Sequence, residues 1–146
     1  MSFFTTYSKK LENLIAVVIF LITFAVYFST MAPTVSFWDT GEFIATSHIL
    51  GVPHPPGSPL FLLVGKFFSL IPISSDIAFR VNIFSPIISA LTISLLFLIC
   101  NQFKDRVKPK DDNKFFKMWS SLTASLTFAF THSHWFNAVE TEVYAF

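Results

Sequence analysis

Leu14-Ile-Ala-Val-Val-Ile-Phe-Leu-Ile-Thr-Phe-Ala-Val-Tyr-Phe-Ser-Thr-Met-Ala32 is a run of nineteen residues without a charge. It approaches the ~20 apolar residues that an α-helix needs to cross ~30 Å of hydrocarbon. Lys9 and Lys10 stand before it, as the charged start of a cleaved signal peptide would. The run outlasts an ordinary signal core, however, and Pro33 sits where cleavage after Ala32 would fall. The stretch therefore reads as a first span.

Two further uncharged stretches, Val81 to Phe103 and Met118 to Val139, have spanning length. Pro86 lies near the start of the second, where a kink is tolerated if neighbouring helices satisfy the freed carbonyl. Leu60 to Ile73 has only fourteen residues, is interrupted by Lys66 and contains Pro72; it reads as an interfacial or re-entrant helix. The expected fold is thus all-α, a polytopic membrane helical bundle with three predicted transmembrane helices at about 14–32, 81–103 and 118–139, plus interfacial helices in the first external loop.

Composition agrees: 53% of the 146 residues are hydrophobic, 13% are charged and twenty are phenylalanine, which excludes an ordinary water-soluble globule. A net charge of +1, with the basic residues lying between apolar runs, offers no basic face for nucleic acid. The single cysteine, Cys100, forms no intrachain disulfide, and no Cys/His spacing matches a structural zinc site.

Lys and Arg orient the spans, because short cytoplasmic loops retain them. Eight lie before span one or in the 104–117 loop (Lys9, Lys10, Lys104, Arg106, Lys108, Lys110, Lys114, Lys117), against Lys66 and Arg80 in the loop from Pro33 to Arg80. The N-terminus and the 104–117 loop, polar and mobile around Pro109 to Asn113, are expected on the cytoplasmic side. The 33–80 loop and the C-terminal end face outward. The chain closes on the apolar Val143-Tyr-Ala-Phe146, where a fourth segment could begin, and so reads as the N-terminal part of a longer polytopic protein.

The densest chemistry lies in the outward loop between Ser36 and Pro59. Asp39 and Glu42 are three apart, so on a helix both project from one face. A carboxylate in a partly dehydrated pocket can serve as general base toward a hydroxyl, with a second one holding the acceptor or tuning the first. Asp-x-x-Glu before an apolar stretch is equally a capping box, with Asp39 as N-cap and Glu42 folding back; both readings stay open. His48 would point away from this pair and reads as structural. His54, ahead of Pro55-Pro56-Gly57, is held in a stiff turn that could present it to a substrate; an ordinary loop histidine is the competing reading. Trp38 suits stacking on a sugar or anchoring at the interface. Lys66 and Arg80 suit a lipid-linked phosphate or snorkelling from helix ends. Glu140 and Glu142 follow the third stretch on the same outer side, with His132 and His134 about two turns earlier, but their spacing matches no zinc motif, and no metal or cofactor is expected.

Three strings, Phe37-Trp-Asp-Thr-Gly-Glu-Phe-Ile-Ala45, Gly51-Val-Pro-His-Pro-Pro-Gly-Ser-Pro-Leu-Phe61 and Trp135-Phe-Asn-Ala-Val-Glu-Thr-Glu-Val-Tyr-Ala145, closely resemble the N-terminal region of the protein O-mannosyltransferase-like membrane family within the GT-C glycosyltransferases. The resemblance implies a multi-pass enzyme, in a bacterial inner membrane, that moves a sugar such as mannose from a polyprenyl-phosphate carrier to a protein or glycan hydroxyl outside the cytoplasm. It implies an inverting reaction in which Asp39, the carboxylate of the first external loop, is catalytic, with Glu42 beside it. The expected substrate contacts are Trp38, His54, Arg80, Glu140 and Glu142. Full family members have more spans than three. The rival reading is a non-catalytic membrane transport or scaffold protein whose acidic loop binds a cation or a partner.

Overall fold

The computed structural model describes residues 2–55, 57–107 and 114–145, with side chains left undescribed for residues 1–8, 104–114 and 145. Lys108, Lys110 and the segment from Pro109 to Asn113 lie outside the described residues, as does Pro56. The described residues form seven α-helices and no strand: α1 (Ser2–Thr30), α2 (Thr40–Ile49), α3 (Pro59–Leu70), α4 (Ile77–Asn82), α5 (Phe84–Val107), α6 (Lys114–Ala129) and α7 (His132–Ala138), followed by a 3-10 turn at Val143–Ala145.

The stretch around Leu14 is helical, as its apolar length requires. Ala16, Ile19, Thr23 and Tyr27 recur at helical spacing and are buried, whereas Leu14, Val17, Val18, Leu21 and Ile22 on the other face are exposed. The buried stripe packs on Ala90, Ile93 and Phe97 of α5, and Ala129 of α6 joins the same core. Small residues bring the backbones close: Ser94 donates its hydroxyl to the Ala16 carbonyl at 2.8 Å. Tyr27 is fully buried and donates to the Ala129 carbonyl at 2.8 Å, tying the C-terminal ends of α1 and α6 together.

Two stretches, Lys9–Thr30 and Ile77–Phe103, are helices long and apolar enough to cross a membrane. The second divides at Ile83 into α4 and α5. Pro86 falls in the first turn of α5, where its missing N–H has no intrahelical partner to lose, and the helix breaks just upstream at Ile83. The third stretch corrects the expectation of one helix over 118–139. α6 stops at Ala129, and Thr131, with an extended ψ of 143°, starts the separate seven-residue α7. The polar run Thr131-His-Ser-His134 marks the break. α7 instead packs Trp135 and His134 on Tyr27, each ring about 6.0 Å from it.

In the 33–80 loop, the short helix expected over Leu60 to Ile73 is α3, with Pro59 in its first turn. It crosses α2 at Gly65, where a Cβ would stand 2.5 Å from Ser47 Oγ and 2.8 Å from Ser47 Cβ. Only glycine permits that approach. Phe43 of α2, Phe61 and Leu62 of α3 and Phe84 of α5 then form a second apolar core under the loop.

Candidate functional site

Asn82, at the end of α4, organises the outer end of the bundle. Fully buried, it donates through Nδ2 to the carbonyls of Ala32 and Thr34, both at 2.9 Å, and its Oδ1 accepts from the Thr141 hydroxyl. The Ala32 N–H donates to the Val139 carbonyl at 2.8 Å. Glu140, 6% exposed, accepts from the Ser36 hydroxyl and, at 3.5 Å, from that of Thr40. These bonds fasten the segment after α1 to the segment after α7. They thereby bring the Ser36–Pro59 loop against Glu140 and Glu142, a hundred residues distant in sequence.

Between the two segments lies a cavity of about 170 Å³ lined by Asp39, Phe43, His54, Gly57, Ser58, Glu142, Val143 and Tyr144. Asp39 occupies the N-cap position of α2, yet its side chain makes no capping hydrogen bond. Glu42 does not fold back to Asp39 either. Its Oε1 accepts the His54 backbone N–H at 2.7 Å and its Oε2 meets His54 Nδ1 at 2.8 Å. The capping box that the spacing allows is therefore not formed, and the Asp39 carboxylate is left open toward the cavity. His54 Nε2 lies 3.9 Å from Asp39 Oδ2.

The charges follow from these contacts. The hydrogen bonds from the ring and backbone of His54 hold the Glu42 carboxyl below its ordinary range. In return the Glu42 carboxylate raises His54, with Asp39 and Glu142 adding to the same direction. Burial pushes Glu140 up, opposed by the Thr40 hydroxyl. Glu142, 9% exposed, is pushed up by burial first and by the nearby Glu140 and Asp39 carboxylates second, while the Val143 N–H opposes the shift.

Of the remaining sequence candidates, Trp38 precedes Asp39 but does not line the cavity; it is 83% exposed beside Phe37 at 82% and holds a positive φ of 58°. For a bulky side chain this left-handed conformation costs on the order of 1–3 kcal/mol. It turns the chain so that both rings face outward just before α2. Tyr144, 84% exposed, lines the cavity from the C-terminal segment. Arg80 is elsewhere: its guanidinium donates to the Ser74 and Ser69 carbonyls between α3 and α4. Lys66 donates to the His48 carbonyl, and His48 Nδ1 sits 3.3 Å from Ser69 Oγ. Neither cation lines the cavity. Ligand atoms of Asp39, Glu42 and His54 lie within 4.8 Å of one another, and both Glu42 oxygens already meet His54. Ser36, Thr40, Asn82 and Thr141 were not singled out from sequence; the signal that could have found Asn82 is a bare amide ahead of an apolar span, a group that must find partners when buried.

The described residues are all-helical outside their loops, include two helices of membrane-crossing length, and enclose a carboxylate-and-histidine cavity between α2 and the segment after α7. The family model described as Protein O-mannosyl-transferase TMEM260 N-terminal domain matches residues 39–146, a span that starts at Asp39 and contains every residue lining the cavity. The chain belongs to that family. It is 28% identical over 139 residues to Protein O-mannosyl-transferase tmem260 of Dictyostelium discoideum, covering 94% of this chain and 16% of the relative. It is 40% identical over 83 residues to Protein O-mannosyl-transferase TMEM260 of Mus musculus, covering 56% of this chain and 12% of the relative. The chain thus spans a small part of the length of either relative. No solved structure matches it.

Proposed function

We propose that this chain forms the N-terminal, active-site part of a multi-pass membrane glycosyltransferase that moves a sugar from a polyprenyl-phosphate carrier to an acceptor hydroxyl on the non-cytoplasmic side. The observation that carries the reading is the Asp39 carboxylate, uncommitted to capping and open to a cavity shared with His54 and Glu142. The names of the relatives support a transferase over a transport or scaffold protein, and support mannose as the sugar and protein as the acceptor.

In this reading α1 and α5 cross the membrane and the broken α6–α7 stretch makes the third crossing, with the N-terminus cytoplasmic and the cavity at the outer face. Asp39 takes the proton of the acceptor hydroxyl as its oxygen attacks the anomeric carbon with inversion. The carrier phosphate departs with the electron pair of the broken bond. Trp38 and Tyr144 offer faces for the sugar ring, and Glu142 accepts from its hydroxyls. At about 170 Å³ the cavity is smaller than the ~300–1,000 Å³ of most ligand pockets, in keeping with a site completed by the rest of a protein of the relatives' length.

Two measurements on the full-length protein test the reading. Purified protein should transfer mannose from a polyprenyl-phosphate donor to a hydroxyl-bearing peptide. Cysteines placed at Ser58 and Asn113 should label from opposite faces, the first from outside and the second only after permeabilisation. Absence of transfer removes the enzymatic reading, and labelling of both sites from one face removes the topology.

A further inference from the structure

One carboxylate grips His54 twice, at its backbone N–H and at Nδ1. A carboxylate only accepts, so Nδ1 carries a hydrogen and the lone pair of the neutral ring sits on Nε2. The ring has little freedom: Glu42 fixes one edge, the Phe43 ring lies 5.8 Å away, and the Gly57 N–H closes the turn onto the His54 carbonyl at 3.1 Å. Nε2 therefore faces Asp39 Oδ2 across 3.9 Å, too far for a hydrogen bond. An oxygen can lie about 2.8 Å from both atoms, so a single hydroxyl fits against the pair and donates its one hydrogen to either acceptor. The groups facing His54 are Glu42 and Asp39 from α2, and Glu142 with Tyr144 from the C-terminal segment. No lysine or arginine lines the cavity among the described residues.

We propose that His54 is a second catalytic residue of this cavity, the final acceptor of the hydroxyl's proton, and that Glu42 is its positioning residue. The proposal rests on the reading of the cavity as a site of sugar transfer. In the step, the O–H electron pair becomes the new bond to the anomeric carbon, and the bond to the carrier phosphate breaks with its pair leaving on phosphate. The proton passes first to Asp39; once a water molecule takes the product oxygen's place between the two groups, it relays the proton from Asp39 to Nε2, so Asp39 returns to carboxylate and the imidazolium rests against the Glu42 carboxylate. The Glu42 carboxylate favours the protonated ring, which draws the proton onto Nε2. The His54 side chain is 48% exposed, so the proton then escapes to water.

The experiment is a pH profile of kcat/KM for mannose transfer by the full-length protein in detergent. Nε2 must be unprotonated to receive the proton, so the wild type loses rate as pH falls through the His54 pKa. Glu42→Gln removes what raises that pKa, and the acid limb moves to lower pH. His54→Asn abolishes the limb and lowers the plateau roughly 10²-fold. A limb that stays in place in Glu42→Gln, or persists in His54→Asn, overturns the proposal. If His54→Asn does not accumulate, Glu42→Gln alone decides. NMR titration of the histidine-labelled protein needs no turnover. A His54 pKa that Glu42→Gln leaves unchanged overturns the dyad while the transferase reading stands, whereas a lowered pKa in a protein without transfer at any pH removes the transferase reading and the catalytic role with it.

Discussion

Replacing Asp39 by asparagine keeps the shape of the side chain and removes its charge, which separates a helix cap from a base. Asparagine caps as well as aspartate, and a lost cap typically costs about 1 kcal/mol. Here the side chain is 59% exposed and makes no capping bond. Asp39→Asn and Asp39→Ala should therefore both leave stability within about 0.5 kcal/mol, the range of surface substitutions without a specific partner. An amide cannot take the acceptor's proton, so transfer should fall by roughly 10²-fold or more in both variants. The assays are thermal unfolding in detergent and mannose transfer from a polyprenyl-phosphate donor, on the full-length protein with expression matched. Near-normal transfer by Asp39→Asn refutes the catalytic role. A stability loss of about 1 kcal/mol in Asp39→Ala, absent from Asp39→Asn, would show that the carboxylate caps α2 after all.

Other consequences of the structure are open to measurement. Gly65→Ala places a Cβ on Ser47 and should cost about 1–3 kcal/mol by overpacking; Ser47→Gly in the same chain should recover most of it, and unaltered unfolding of the single variant would contradict the close α2–α3 crossing. Glu140 is raised by burial, so its contribution is fully present below the ordinary glutamate value of about 4.3 and is lost as pH rises through the higher folded value. Glu140→Gln should flatten that decline in unfolding scans, and an unchanged slope would assign it to another group. Arg80→Ala should lower stability by freeing the Ser69 and Ser74 carbonyls, with the KM for the donor unchanged; a raised KM at normal stability would return Arg80 to the donor phosphate.

The candidate site was legible in its members and not in its bonds. Asp39, Glu42 and His54 stood out because carboxylates and a stiffly held histidine cluster in one outward loop. Local spacing, however, left a capping box with Asp39 and a catalytic pair equally open for Glu42, and the folded chain bonds Glu42 to His54 instead. The difference is a separation of twelve positions: helical periodicity relates positions three or four apart, and says nothing about a turn that folds back across α2. Arg80 shows the same limit. Its charge suggested an anion, but the carbonyls left over where α3 ends and α4 begins claim its guanidinium first.

What the sequence determined by itself was the all-helical class, the apolar stretches at 14–32 and 81–103, and the short helix between them, because each follows from uninterrupted local hydrophobicity and from proline and charge that limit its length. It also singled out Asp39 and its neighbours as the candidate site. Only tertiary structure decided that the third stretch breaks before Thr131 so that α7 can pack on Tyr27, and that Gly65 must admit Ser47. It alone decided that buried Asn82 and Glu140 draw the segments after α1 and α7 together into one cavity. The physical reason is the same in each case. A buried polar group or a close helix crossing takes its partner from whatever the fold brings near, and that partner can lie a hundred residues away, beyond the reach of any local pattern.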